Sequence, residues 1–452
     1  MELKGIKALV VGAGKSGISA AGLLMKEGAR IVLYDSNREL TKEDVRKKLP
    51  EAYNGRIILG DLPDDVRDEA ELLILSPGVP TDLDYVNAIR KRGIPVWGEI
   101  ELAYRFARGK LVAVTGTNGK TTTTALIGEI LKTWYHSVFV VGNIGSPYAD
   151  SVLDTSEDSV TAAEMSSFQL ETIDSFRPDV SAILNITPDH LDRHHTMDNY
   201  IKAKANIFKN QTEEDVCILN YEDALLRKLG ENIRPRVIWF SSLRTLSDGI
   251  YLNGDMITYT HGPETEELVN ISELAIIGRH NYENAMAAAA AGIALKIPVE
   301  LIRKALREFR AVEHRIEYVT TIDGVKYYND SKGTNPDASI QAVRAMTAGT
   351  FLIAGGYDKG SEYDDWIDSF NGRIVCLVLI GQTREKIAKT AGEHGFTNIV
   401  MADTLEEAVA FCHDHARPGE CVLLSPCCAS WGMFSNYEER GRLFKEYVRR
   451  YQ

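Results

Sequence analysis

Eight consecutive residues, Thr115-Gly116-Thr117-Asn118-Gly119-Lys120-Thr121-Thr122, constrain the fold of this chain more than any other segment. They follow the apolar run Leu111–Val114 and open onto the helix-compatible segment Thr122–Leu131. Strand, Gly-rich turn, Lys-Thr and helix, in that order, form a nucleotide-phosphate cradle. The glycines let backbone N–H groups converge on phosphate oxygens, and the helix amino end adds positive potential. The spacing predicts that Gly116, Thr117, Asn118, Gly119, Lys120, Thr121 and Thr122 receive the phosphates of ATP. Lys120 would neutralise the β- and γ-phosphates, and the Thr121 hydroxyl would bind Mg²⁺. The strict G-x-x-x-x-G-K-[ST] pattern wants a glycine where Val114 stands, so the loop is a shortened variant.

A second glycine cluster, Gly12-Ala13-Gly14-Lys15-Ser16-Gly17, follows the apolar run Ala8–Val11 and precedes the helix candidate Ile18–Lys26. Asp35 ends the next apolar run. This fits the G-x-G-x-x-G fingerprint with an acid on the following strand, which by itself points to NAD. The same turn serves any diphosphate, so the fingerprint alone does not select the ligand.

The charge balance excludes some classes. Lys+Arg number 51 against Asp+Glu 64, a net charge of −13, which argues against a nucleic-acid binder. No apolar run approaches the ~20 residues of a membrane span. The first residues lack the pattern of a secretory signal, so a cytoplasmic location is the expectation. Six cysteines without a C-x-x-C predict reduced thiols rather than a disulfide framework. Cys412-His413-Asp414-His415 with Cys421 could suggest zinc, but the spacing fits no standard site.

Residues 1–97 alternate short apolar runs with polar helical stretches, at Ala8–Val11, Ile31–Tyr34, Ile57–Leu59, Leu72–Leu75 and Val96-Trp97. That alternation predicts a parallel α/β sheet. The loop Ser76-Pro77-Gly78-Val79-Pro80 follows the fourth run, where ligands of such sheets bind. A helical segment, Gly98–Arg108, starts a second unit with strands at Leu111–Val114, Val138–Val141, Val160–Ala163, Val180–Leu184 and Val216–Leu219. A hairpin is predicted at Asn253-Gly254, and an Ala-rich buried helix at Asn281–Lys296. A third α/β unit begins near Val312, with strands at Val325–Tyr328, Thr350–Ala354, Val375–Ile380, Ile399-Val400 and Cys421–Leu424.

Two strand ends carry metal-ligating chemistry. Glu164 follows Val160–Ala163, and Asp189, His190 and Asp192 follow Val180–Leu184. Carboxylates and an imidazole at successive strand ends beside Lys120 predict Mg²⁺ binding.

The segments TGTNGKTTT, EMSSFQLE, NITPDHLDRH, GRHNYENAMAA, HRIE, NDSKGTNP and LLSPCCASW occur in that order. Together they resemble the Mur ligase family, the ATP-dependent amide-forming synthetases of peptidoglycan precursor assembly. NDSKGTNP and LSPCCASW resemble the member that adds D-glutamate to UDP-N-acetylmuramoyl-L-alanine.

The resemblance implies an α/β fold of three domains. A Rossmann-like domain (1–97) would bind the UDP-substrate, a central P-loop-type ATPase domain (98–311) would bind ATP, and a C-terminal α/β domain (312–452) would bring in the amino acid. The first glycine cluster then serves UDP rather than NAD. Gly14, Lys15, Ser16 and Gly17 would contact diphosphate, Asp35 and Ser36 would lie near uracil, Ser76, Pro77 and Gly78 would form a second contacting loop, and Asn143 would reach substrate near the metals. Two Mg²⁺ sites are implied, at Thr121 with Glu164 and at Glu164 with His190. The family also uses a carbamylated lysine at the metals, a position matched by Lys204, with Lys202 as its neighbour. Asn281, Arg315 and Asp330 would hold ATP, and Arg315 would reach it only if the third domain closes over the second. Lys332, Thr334, Lys359, Ser430 and Tyr437 (the last often Phe in the family) match the D-glutamate pocket. His190 would help deprotonate or position the incoming amine, and the implied catalytic set is Lys120, Glu164, His190 and Lys204. A monomer is expected.

Other readings are another Mur-type or folylpolyglutamate synthetase-like ligase, a NAD-dependent dehydrogenase and a non-catalytic nucleotide-binding regulator. The first glycine-cluster domain disfavours the folylpolyglutamate branch, and the intact Lys120, Glu164 and His190 set disfavours the regulator.

Overall fold

The computed structural model describes residues 2–143 and 145–452. The chain divides into two compact units, Met1–Val269 with Glu283–Leu306, and Asn270–Tyr282 with Arg307–Gln452.

The first unit carries two sheets. The first comprises β1 (Lys7–Val11), β2 (Arg30–Asp35), β3 (Arg56–Leu59), β4 (Leu72–Leu75) and β5 (Val96–Gly98) in the order β3-β2-β1-β4-β5. Every neighbouring pair is parallel. The order reverses beside β1, so a crevice opens at its carboxyl end, where Gly12–Gly17 lie. The strands are nearly continuous apolar runs because helices cover both faces.

The second sheet has nine strands. They are β6 (Lys110–Thr115), β7 (Ser137–Gly142), β8 (Ser159–Glu164), β9 (Val180–Ile183), β10 (Val216–Asn220), β11 (Arg236–Ser241), β12 (Gly249–Asn253), β13 (Met256–His261) and β14 (Glu264–Asn270), in the order β14-β13-β12-β11-β10-β9-β6-β8-β7. Strand β6 sits between β8 and β9, so the loops after all three open on one edge. The predicted hairpin is present: β12 and β13 pair antiparallel with Asn253 opposite Met256. Strands β11 and β14 were not predicted. Strand β14 mixes charged and apolar residues, so it does not read as a continuous apolar run, whereas β11 carries the short apolar run Val237–Phe240. The helix after β5 spans Glu99–Tyr104, shorter than the predicted Gly98–Arg108. One buried cluster runs from Leu3 through Trp97 and Ile100 to Tyr148, Phe176 and Leu226, joining residues of both sheets.

The second unit contains β15 (Glu317–Ile322), β16 (Val325–Asn329), β17 (Thr350–Ala354), β18 (Ile374–Leu379), β19 (Ile399–Met401) and β20 (Cys421–Leu424), ordered β15-β16-β20-β17-β18-β19. Only β15 with β16 is antiparallel, and β15 was not predicted because its alternation is weak. Two apolar clusters cover the faces, one around Trp366 and Leu352, the other around Phe444 and Ile353.

All six cysteines are free and buried. Cys412 packs in the cluster around Phe444, and burial pushes its thiol far above the usual range. It is a residue of that core.

Candidate active site

The phosphate cradle forms where the sequence places it. Strand β6 ends at Thr115, and a 13-residue helix begins at Lys120. Gly119 caps that helix with φ 86°, and a Cβ there would lie 2.3 Å from Asn284 Oδ1, so only glycine fits. The loop is clipped to the segment after β9. Thr117 N donates to Asn185 O at 3.0 Å, Asn118 N to Asn185 Oδ1 at 2.8 Å, and Thr187 N to Thr117 Oγ1 at 3.0 Å. The cradle is therefore shaped by residues about 70 positions away.

Lys120 Nζ donates to the carbonyls of Gly116 and Thr117, both at 2.9 Å. Lys204 Nζ donates to the same Gly116 carbonyl at 2.7 Å. Lys204 is 2 % exposed, whereas Lys202 is exposed. The helix Met197–Ala205 turns one lysine inward and the other to solvent, because two residues are about 200° apart on a helix. Burial first, then the Lys120 charge, holds the Lys204 amine well below its ordinary pKa; Asp189 opposes the shift.

Glu164 ends β8 and is 1 % exposed. Its Oε1 accepts from Asn143 Nδ2 at 2.9 Å, which brings two of the predicted residues together. Its Oε2 is buried and has no hydrogen-bond partner among the described residues. A buried carboxylate oxygen left unsatisfied is costly unless a cation or donor meets it. The residue chemistry therefore fits Mg²⁺, which takes oxygen ligands.

His190 has φ 53° and a half-exposed side chain (51 %), packed on Phe168 with ring centroids 4.9 Å apart. Among the described residues, a compact group of three ligand-type side chains occurs at Glu313, His314 and Glu317, where Lys445 already pairs with both acids.

His194, four residues on, was not predicted. It is buried, with Nε2 2.9 Å from Ser167 Oγ and Nδ1 3.2 Å from Glu171. Arg193 pairs with Glu171 at 2.8 Å and donates to Val79 O at 2.9 Å, tying the Ser76–Pro80 loop to the second sheet. The motif shows these residues, but only the fold shows that they meet.

In the first sheet, Gly14 precedes the helix Lys15–Lys26. A Cβ on Gly17 would lie 1.8 Å from Gly12 O, so the turn requires glycine there. Asp35 accepts from Ala13 N at 2.7 Å and from Asn37 N at 2.9 Å, and Ser76 Oγ donates to Gly12 O at 3.2 Å. Lys15, Ser36 and Gly78 are exposed, while Ser16 and Pro77 are half-buried at the same strand-end edge.

In the second unit, Lys332 Nζ lies 3.7 Å from the centroid of the Tyr437 ring, and Lys359 Nζ lies 5.6 Å from that of Trp431. Thr334 N donates to Lys332 O, and Ser430 is buried in the loop after β20. Asp330 accepts from Ile316 N at 3.2 Å and Ser425 Oγ at 2.8 Å, and burial raises its pKa to about 7. Arg315 sits beside Ile316, and Asn281 donates to Ile277 O. Arg440 is a residue the sequence did not flag. It is fully buried and donates to Ser331 Oγ at 3.0 Å, Ser331 O at 2.9 Å and Cys428 O at 3.2 Å. It fastens the loop carrying Lys332 to the loop carrying Ser430.

Three family models match the chain in sequence order: the Mur ligase MurD-like N-terminal domain over residues 6–98, the Mur ligase middle domain over 114–292, and the Mur ligase glutamate ligase domain over 314–428. A UDP-N-acetylmuramoylalanine--D-glutamate ligase of Lachnoclostridium phytofermentans is 62% identical over 448 residues, covering 99% of each chain. Enzymes of the same name from Lachnospira eligens and a Thermoanaerobacter species are 52% and 46% identical, again over 99% of each chain. Among solved structures, the fold resembles UDP-N-acetylmuramate-alanine ligase MurC of Thermotoga maritima, with TM-score 0.62, 19% identity and coverage of 99% and 100%. MurF ligase of Thermotoga maritima in complex with ADP aligns with TM-score 0.60, 18% identity and coverage of 100% and 97%. Three models in order and full-length relatives at this identity leave one assignment: the chain belongs to the Mur ligase family.

Proposed function

We propose that this chain is an ATP-dependent ligase that joins D-glutamate to UDP-N-acetylmuramoyl-L-alanine in peptidoglycan precursor synthesis, working as a cytoplasmic monomer. The activity is the one named for its relatives at 46–62% identity. The observation that carries the mechanism is the buried set around Gly116 O: two lysines on one carbonyl, in a sheet edge that also holds the unsatisfied Glu164 Oε2. We assign residues 1–97 to the UDP-substrate, 98–311 to ATP and 312–452 to the amino acid.

The bond to be made sets the chemistry. A carboxylate is a poor acyl donor, so it is first phosphorylated. An oxygen of the L-alanine carboxylate attacks the γ-phosphorus, the bond to the β-phosphate oxygen breaks, and acyl phosphate and ADP result. Two anions must meet, so charge neutralisation dominates. Lys120 exchanges its two loop carbonyls for phosphate oxygens. Gly116–Thr122 present backbone donors, and Asn281, Arg315 and Asp330 complete the nucleotide contacts, with Arg315 as a bidentate clamp. Mg²⁺, when bound, neutralises phosphate and carboxylate oxygens; Thr121, Glu164, His190 and a carbamylated Lys204 would hold two such ions. Carbamylation needs a neutral amine. The Lys204 nitrogen attacks carbon dioxide, a C–N bond forms, and a proton leaves, turning a buried cation into an anion. Its lowered pKa supports this step.

In the second step the D-glutamate nitrogen attacks the acyl carbon, phosphate departs, and the amine loses a proton, with His190 as acceptor or positioner. Lys332, Thr334, Lys359, Ser430 and Tyr437 receive the two glutamate carboxylates. Gly14, Lys15, Ser16, Gly17, Asp35, Ser36, Ser76, Pro77, Gly78 and Asn143 hold the UDP-substrate.

The test is phosphate release from Mg²⁺-ATP with UDP-N-acetylmuramoyl-L-alanine, comparing D-glutamate, L-glutamate and no amino acid. Release that needs both the UDP-substrate and D-glutamate, with the matching product mass, supports the reading. Turnover with neither glutamate isomer refutes it.

A further inference from the structure

The second unit has another concave site, one that the ligase reading leaves unused. It is a cavity of about 470 Å³ whose lining includes Arg279, His280, Gln341, Arg344, Asp368 and Arg373. Arg344 lies in the last turn of the helix Pro336–Ala345, which leads into β17, and Arg373 immediately precedes β18. The cavity therefore opens at the amino ends of β17 and β18. Asp330, Lys332, Lys359 and Ser430 follow the carboxyl ends of β16, β17 and β20. A five-residue strand separates the two edges by ~17 Å. The cavity and the amino-acid loops are different places in one unit.

The charges in the cavity are unbalanced. Among the described residues, the guanidinium groups of Arg279, Arg344 and Arg373 have no ion-pair or hydrogen-bond partner. The carboxylate in the lining, Asp368, is already engaged, with Oδ1 2.6 Å from Nδ1 of His394. Hydrogen bonds from the imidazole to Asp368 and then Asp364 raise the His394 pKa, so Asp368 has its cationic partner in His394. His280 is neutral, because burial, then the Arg315 charge, lowers its pKa to about 4. It contributes ring hydrogen bonding without charge. Arg279 and His280 open the helix Arg279–Ala294, whose positive amino end offsets the negative carboxyl end at Ala345. Three uncompensated guanidiniums remain in one cavity of a chain with net charge −13.

We propose that this cavity binds a small, multiply charged phosphate compound, such as a polyphosphate or a phosphorylated metabolite carrying more than one phosphate. Planar guanidinium forks match phosphate oxygens in pairs, and three of them exceed what a single carboxylate needs. The volume falls in the range of small-molecule sites. The Gln341 amide and the His280 ring supply neutral hydrogen bonds for the rest of such a molecule. The site stands on these residues and does not depend on the ligase reading.

The experiment is equilibrium dialysis of radiolabelled inorganic pyrophosphate against the full chain, in EDTA at fixed ionic strength. Lys120→Ala serves as the background, to weaken the phosphate cradle. Adding Arg344→Gln and Arg373→Gln is expected to weaken binding at least tenfold and remove one equivalent of bound pyrophosphate. Arg344→Lys with Arg373→Lys is expected to keep the equivalent at reduced affinity. Equal affinity and stoichiometry with and without the Gln changes overturns the proposal, as does absence of binding in the Lys120→Ala background. Melting temperatures of the unliganded variants check folding, and if the double Gln variant is unstable, Arg279→Gln alone decides by the same criterion.

Discussion

Lys120 and Lys204 donate to one and the same acceptor, the carbonyl oxygen of Gly116, at 2.9 and 2.7 Å. They are 84 residues apart, and only the fold brings them together. Two ammonium groups on one carbonyl repel, and the buried one yields its proton more readily. Lys204→Ala is expected to lower kcat by at least 100-fold, with partial recovery on adding acetate or another short carboxylate. Full activity in that variant removes the carbamate from the mechanism.

Glu164 presents one satisfied and one unsatisfied carboxylate oxygen. Glu164→Gln keeps the shape but removes the charge that would face a cation. The Mg²⁺ concentration for half-maximal activity is expected to rise at least tenfold, with a fall in kcat. Titration of activity against Mg²⁺ checks this, and an unchanged midpoint would place the metal elsewhere.

Arg440 joins Ser331 and Cys428 through three hydrogen bonds. Arg440→Lys loses the planar fork and leaves buried carbonyls short of donors, a cost of about 1–3 kcal/mol. Because the two loops carry Lys332 and Ser430, KM for D-glutamate is expected to rise more than KM for the UDP-substrate. Steady-state kinetics with each substrate varied checks this, and equal changes would indicate a purely structural role.

Glu99 accepts from Ala149 N while its Oε2 has no hydrogen-bond partner among the described residues, and burial raises its pKa from 4.5 to about 7. The folded state thus holds this proton more tightly than the unfolded state. Its contribution to stability is full below pH ~4.5, declines as pH rises, and is lost above about 7. Asp330, raised from 3.8 to about 7, acts in the same sense. Glu99→Gln is expected to flatten part of the fall in urea midpoint between pH 5 and 7, and Glu99→Gln with Asp330→Asn to flatten more. Unchanged slopes would show that neither acid is protonated in the folded chain.

Much of the fold is legible in local sequence. Strand β4 and strand β17 match the predicted runs residue for residue, because parallel strands covered on both faces are continuous apolar runs bounded by turns. The cradle at Gly116–Lys120 is legible for the same reason: glycines, a lysine and a helix start act through neighbours in sequence. Strands β14 and β15 escaped because their surfaces are half-polar and their pairing supplies the order that their composition lacks, whereas β11 carries a legible apolar run at Val237–Phe240.

The sequence by itself determined the order of the strand-end loops and the identity of the groups they carry. Periodicity and turn chemistry are short-range properties, readable within a dozen residues. Only the tertiary structure decided that Lys204 is buried and Lys202 is not, that Glu164 keeps one oxygen unsatisfied, that His194 meets Ser167, and that Arg440 fastens two loops. Those facts depend on burial and on partners up to 109 residues away, and both arise from packing, which no local pattern encodes.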